Sequence, residues 1–301
     1  MTWIPHQLPA QLPRLTGPDS ADLVLMPILN VESWPFDRPM PRKLLTAPHG
    51  RDNVPDVPNY SWVDYGLRAG IERLVDGFAG RGLPVGLSVN AAIHTDYPAV
   101  FELLLDTGWE FVAHGVRQEA VTGAPDERAA IRESLELLTA STGRRPRGWM
   151  GPGLAETVHT PQVLAELGVD YVLDWAVADH PLWMSTTPPL LALPYNLELN
   201  DSVVVAVEHQ PMPEYVRRVR ATVAVLKAEA RAEGGARVLA LPMHPHLLGV
   251  PHRVGGFFEV VQELAADPAV TFADPGTVAD WFTAQVPAAS PSQPGRRPVT
   301  A

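Results

Sequence analysis

The chain contains no cysteine. Disulfides, thiolate metal sites and cysteine nucleophiles are therefore excluded together. Among its 301 residues no apolar run approaches the ~18 needed to span a membrane. The segment Met1–Arg14 is interrupted by Pro5, Pro9 and Pro13, so neither signal peptide nor membrane anchor is expected there. Basic runs interleaved with aromatics are missing, and the formal net charge of −11 repels polyanions, which removes nucleic acid as a partner. Also missing are Gly-x-Ser-x-Gly, a phosphate-binding glycine loop, His-Glu-x-x-His and a dinucleotide fingerprint. What remains is a soluble protein, expected in the cytoplasm, that acts on a small molecule. A homo-oligomer is compatible with this reading.

Residues 1–20 and 286–301 are rich in proline, serine and alanine and read as an irregular arm and a disordered tail. Between them, residues 21–285 read as one α/β unit. Strand-like runs fall at Asp22–Val31, Leu83–Val89, Trp109–Ala113, Val169–Leu173, Ser202–Val207, Ala236–Met243 and Val270–Phe272. Helical patterns separate most of them. In Trp62–Ala79 the residues Val63, Leu67, Ile71, Leu74 and Phe78 form one apolar stripe. Tyr215, Val219, Val223 and Leu226 do the same within Glu214–Arg231. Asp96 is placed to cap a helix through Leu105, Pro125 to enter the next, and Asp274-Pro275 to open the last. About seven strands alternating with helices predict a parallel sheet, best closed into a distorted barrel, with an open doubly wound sheet second. The stretch Glu32–Tyr60, with Pro35, Pro39, Pro41, Pro48, Pro55 and Pro58, lacks periodicity. It follows the first strand, where a barrel places site loops, and is expected to cover the site.

Three strands run into polar groups. Asn30 and Glu32 share one side of the first, His114 closes the third, and His244 and His246 end the strand begun at Ala236. Each alone is equally well a solvated or hydrogen-bonded strand end. Together, at the carboxyl ends of parallel strands, they converge on one face. Trp34, Trp62, Trp149, Trp175 and Trp183 read as core first and pocket lining second.

In order, Asn30–Glu32, Asp64–Ile71, Glu110–Gly115, Arg145–Trp149, Leu193–Asp201 and His244–Arg253 resemble the allantoinase-like branch of the polysaccharide-deacetylase superfamily. The resemblance covers Asp22–Phe282 and implies a distorted (β/α) barrel, TIM-like, that hydrolyses an amide-like carbon–nitrogen bond. In the zinc deacetylases the first motif supplies two acids, for which this chain has Asn30 and Glu32. The second carries two histidines four apart, for which it has His114 and Gln118. The resemblance thus implies Glu32 and His114 as metal ligands, with Gln118, Glu119, Asp37 or His244 required to complete a zinc site. Metal use is left open, with weak or absent binding favoured.

The expected reaction is hydrolysis of a small cyclic amide, ureide, imide or N-acyl group. Glu32 or Asp37 would be the base, His114 a ligand or water-orienting group, and His244 the acid or charge stabiliser. Asn30, Arg68, Trp149, Asn196, Asp201 and His246 are the expected substrate contacts. The alternatives are a metal-dependent N-acetyl sugar deacetylase and an inactive relative that binds a small ligand or partner.

Overall fold

The computed structural model describes residues 3–46 and 53–288. Nine strands make one sheet: β1 Leu23–Val31, β2 Gly86–Val89, β3 Glu110–Ala113, β4 Gly148–Trp149, β5 Tyr171–Val172, β6 Leu182–Trp183, β7 Leu191–Ala192, β8 Arg237–Met243 and β9 Val270–Phe272. Their order is β6-β7-β5-β4-β3-β2-β1-β8, with β9 on β1. All pairings are parallel except β6 with β7. β1 shares one edge between two partners: Leu23–Leu25 pair with β9, and Ile28–Val31 with β2. The sheet curls into a distorted half-barrel. Among the described residues no ladder joins β8 to β7; Val238 N–H instead donates to the Asp179 carbonyl at 2.7 Å.

Every residue of β1 and of β8 is buried, as apolar strands without alternation demand when both faces are covered. The period of two sorts them into two cores. Val24, Met26 and Ile28 face inward with Val112, Met150, Tyr195 and Ala240. Leu23, Leu25, Leu29 and Val31 face outward onto the helices. Even-numbered β1 residues thus point into the barrel, and Asn30 and Glu32 continue that series beyond Ile28.

Around the sheet lie α1 Val57–Tyr65, α2 Ile71–Ala79, α3 Ile93–Asp96, α4 Pro98–Asp106, α5 Glu127–Thr142, α6 Thr160–Glu166, α7 Met212–Glu233, α8 Pro251–Ala265 and α9 Pro275–Gln285. The stripe Val63, Leu67, Ile71, Leu74 and Phe78 is buried as expected. It runs from α1 through a wider π-helical stretch, Gly66–Gly70, into α2. Tyr215, Val219, Val223 and Leu226 of α7 are buried too. Asp274 caps α9, accepting from Thr277 N–H at 2.7 Å, with Pro275 in the first turn.

Four expectations are corrected. Ser202–Val207 is π-helical, not extended. Asn200 Oδ1 accepts the Ser202 N–H at 2.9 Å and turns the chain, overriding the β preference of the valines. Leu191–Ala192 takes the predicted strand's place in the sheet, and like β4 and β6 it is too short to show alternation. Asp96 ends α3 and caps nothing: it accepts from Ser33 Oγ at 2.6 Å and pairs with Arg117, tying together the loops after β1 and β3. Pro125 lies before α5 and not in its first turn: Asp126 is the cap, accepting from Ala129 N–H at 3.0 Å. Finally, the N-terminal arm is irregular but fastened. Leu15 is buried, Trp3 Nε1–H donates to the Val158 carbonyl at 3.0 Å, and Gln285 Oε1 accepts from Thr16 N–H at 2.7 Å. The tail expected at 286–301 lies beyond the described residues after Ala288.

Candidate active site

The carboxyl ends of β1, β3 and β8 carry Glu32, His114 and His244 to one cavity of about 250 Å³. Glu32 Oε1 is 3.5 Å from His244 Nε2 and 3.7 Å from His114 Nε2. Its other oxygen accepts the Trp34 indole N–H at 3.0 Å. Residues separated by more than 200 positions thus meet around one carboxylate because parallel strands end on the same side.

Asp201 fixes His244. Its Oδ1 lies 2.6 Å from His244 Nδ1, and its Oδ2 accepts the His244 backbone N–H at 2.7 Å. Asp201 is fully buried. Burial would push the His244 imidazole down, but the carboxylates of Asp201 and Glu32 outweigh it and raise its pKa to about 10. His244 is therefore an imidazolium at neutral pH, with one N–H toward Asp201 and the other toward Glu32. Burial likewise works to raise Glu32, yet the His244 charge and the approach of both imidazoles hold its carboxyl well below the usual range. His246 stands edge-on to Trp62, ring centres 5.0 Å apart. Burial and the His244 charge bring its pKa to about 3, so it is neutral.

His114 is oriented from behind. Its Nδ1 is 2.7 Å from the Met150 carbonyl oxygen, which can only accept, so Nδ1 carries the proton. Nε2 is buried, has no hydrogen-bond partner and faces Glu32. A water molecule held by these two acceptors would donate both protons to them and keep a lone pair free.

Of the metal ligands implied by the resemblance, Glu32 and His114 come together, 3.7 Å apart, without a completed set around them. Among the described residues no group of three His, Cys, Asp or Glu side chains is arranged to hold an ion. Gln118 lines the cavity, but its carbonyl oxygen is 3.4 Å from the Asn90 amide nitrogen, and Glu119 pairs with Arg38. His244 Nδ1 is taken up by Asp201, and its Nε2 faces Glu32.

Other expected residues are relocated. Asp37 is exposed and does not line the cavity, whereas Glu32 does. The Arg68 side chain is 72% exposed and pairs with Asp64 on the outer face of the helix. Trp149 packs into the helix-facing core, because in β4 its neighbour Met150 takes the inward position. Asn196 accepts from Leu199 N–H at 3.0 Å and shapes a turn. Asp201 holds His244 rather than substrate. Asn30 and His246 do line the cavity. Arg68→Ala and Asp37→Ala are therefore expected to leave kcat/KM within about twofold of wild type; a tenfold loss in steady-state assays would return either residue to the site.

Sequence reasoning missed Tyr195, Arg42 and the backbone at Gly151, all of which line the cavity. Tyr195 is at the inward end of the unrecognised β7 run, and Arg42 lies in the aperiodic stretch after β1. Trp34, Met40 and Arg42 bring that stretch over the site, as expected; its residues 47–52 lie outside those described.

A second feature holds the turn that carries His244 and His246. A Cβ on Gly66 would lie 2.4 Å from His246 N, and one on Gly70 2.1 Å from the Pro245 oxygen. A Cβ on Gly249 would meet that same oxygen at 2.4 Å. The helix thus touches the His244–Gly249 turn backbone to backbone, which only glycine permits.

Compared with known proteins, the chain matches no protein-family model. It is similar to a proposed polysaccharide deacetylase of Schizosaccharomyces pombe, with 24% identity over 75% of this chain and 77% of the relative. Among solved structures it resembles PuuE allantoinase, with a TM-score of 0.80 and 24% identity over 92% of this chain and 96% of that one. A proposed polysaccharide deacetylase of Pseudomonas aeruginosa PAO1 gives 0.82 and 24%, over 93% and 97%. The chain has the polysaccharide-deacetylase fold.

Proposed function

We propose that this chain is a hydrolase of carbon–nitrogen bonds in small cyclic amides, ureides, imides or N-acyl compounds. Residues 21–285 form the catalytic unit, acting in the cytoplasm. The carrying observation is a buried carboxylate between an imidazolium and an unpartnered imidazole nitrogen, inside a cavity of about 250 Å³. That volume suits a small molecule better than a sugar polymer. The names of the similar allantoinase and deacetylases agree with the bond type.

The chemistry follows from the protonation pattern. Water bound by Glu32 and His114 loses a proton to the Glu32 carboxylate as its oxygen bonds to the substrate carbonyl carbon. The His244 imidazolium faces the charge that develops and gives its Nε2 proton to the departing nitrogen as the carbon–nitrogen bond breaks. The proton held by Glu32 then returns to His244, 3.5 Å away, and restores both groups. Among the described residues no helix is long and apolar enough to cross a membrane.

The test is a hydrolysis screen of ureides, imides and acetylated sugars, run with and without chelator and repeated with His114→Ala. Ring opening of a ureide or imide should survive chelation. The variant should retain the fold and lose ~10²–10⁴-fold in rate through the water it no longer orients. Acetate release from chitooligosaccharides, with apo-protein restored by zinc, would instead establish the sugar-deacetylase reading. Full activity of His114→Ala would remove that residue from the mechanism.

A further inference from the structure

Asn30 occupies the position at which the resembled deacetylases carry an acid, and its hydrogen bonds define what it does in its place. Its Nδ2 amide donates to Tyr195 OH at 3.0 Å and to the Met243 carbonyl oxygen at 3.1 Å. The Met243 carbonyl can only accept, so the NH₂ group must lie on that side and the amide has one allowed orientation. Both its protons are spent there. Oδ1 consequently points the other way, buried and without any hydrogen-bond partner, on a residue that lines the cavity and is 1% exposed. An amide oxygen so placed is costly unless a donor reaches it.

Among the described residues no donor reaches Asn30 Oδ1. The Trp34 indole N–H goes to Glu32, the His244 protons face Asp201 and Glu32, and Arg42 is bonded to Ser202. Tyr195 OH accepts the Asn30 amide, and its own proton does not reach Oδ1. The partner for Asn30 Oδ1 must therefore come with the ligand. Resting on the hydrolase reading above, we infer that Asn30 selects the substrate by accepting one of its N–H groups. The pocket would then take amides, ureides and imides that keep an N–H beside the scissile carbonyl, and reject N-alkylated counterparts. A pocket that hydrogen-bonds a polar substrate group discriminates strongly against an analogue lacking it, because its own buried atom is left unpaired. This also accounts for an amide where an acid would be expected: Asn has an NH₂ that satisfies Met243 O, a donor that a carboxylate lacks.

The experiment compares succinimide with N-methylsuccinimide, and hydantoin with its 1-methyl and 3-methyl derivatives. Both kcat/KM and calorimetric Kd are measured on the whole chain, for wild type, Asn30→Leu and Asn30→Asp. Leu keeps the branch at Cγ and is bulkier than Asn, so a purely steric rejection of methyl would persist in Asn30→Leu. Loss of the acceptor should instead shrink the preference for N–H over N–CH₃, from ~10²-fold or more in wild type to about threefold or less. Asn30→Asp keeps an oxygen on the substrate side and should retain most of the preference; it also serves if Asn30→Leu fails to fold. Hydantoin should lose binding when only one of its two nitrogens is methylated, which identifies the N–H that is read. The proposal is overturned if the wild-type preference is unchanged in Asn30→Leu, if it is lost in Asn30→Asp, or if none of the N–H probes binds. Selective binding without turnover would sink the hydrolase reading while leaving the role of Asn30 standing.

Discussion

Glu32→Gln is expected to lower kcat by ~10³–10⁴-fold while leaving substrate affinity within a few-fold of wild type. The change keeps the side chain's volume and an oxygen for the Trp34 indole, 3.0 Å away in the native site. It removes the one carboxylate placed to receive a proton from water between itself and His114. It also removes one of the two anions that hold His244 charged. Two readouts separate these effects: single-turnover rates report proton transfer, and the pH profile reports His244. A variant retaining a tenth of wild-type kcat would show that another group is the base.

Asp201→Asn should be nearly as damaging, although Asp201 does not line the cavity. Its carboxylate is the larger source of the field that brings His244 to about 10 and the partner of its Nδ1 at 2.6 Å. In wild type kcat should therefore be level through neutral pH and fall only as pH rises through about 10, where His244 loses its proton. The acid limb should lie below the ordinary carboxyl value of 4.5, because Glu32 stays ionised there. Asn leaves a neutral partner that can present either its oxygen or its NH₂ to the ring. The basic limb should move down by ~1–3 units and kcat fall on the order of 10³-fold. Stability follows with the same sign. A histidine raised from 6.5 in the unfolded chain to about 10 when folded contributes most below the former and loses that contribution as pH rises through the latter. Thermal melts of wild type should thus weaken from neutral pH toward pH 10, and the variant should show less of that slope. An unshifted basic limb in Asp201→Asn would assign the titration to another group.

Both effects hinge on residues whose legibility in the sequence was unequal. Glu32, His114 and His244 each end an apolar strand, and the parity of β1 placed Asn30 beside Glu32 before any coordinates. Asp201 was visible only as a pocket-shaping residue, since nothing in its local pattern shows that it reaches a histidine 43 positions on. Trp149 and Arg68 misled for a related reason. Chemistry by residue type pointed to donors, but β4 turns the indole into the helix-facing layer and α1–α2 turns the guanidinium to solvent. Ser202–Val207 failed because β-branched composition was read without the turn that Asn200 makes. Two-residue strands such as β4, β6 and β7 leave no periodic trace at all, and Tyr195 was lost with the last of them.

The contact of Gly66 and Gly70 with the His244–Gly249 turn has a consequence for which substitutions the chain can take. A stretch that meets no substrate, Asp64–Ile71, is bound to the site as tightly as the site's own residues, because its permitted side chain at two positions is a hydrogen atom. Drift elsewhere on the helix is absorbed by solvent, as at Arg68. At these glycines there is no intermediate step: the smallest replacement, alanine, already overlaps the backbone that carries His246. Asn30 and Gln118, by contrast, line the cavity, where a changed side chain leaves the seat of the turn in place. The segment is therefore constrained by backbone contact with the turn and not by the chemistry of the cavity that the turn supports.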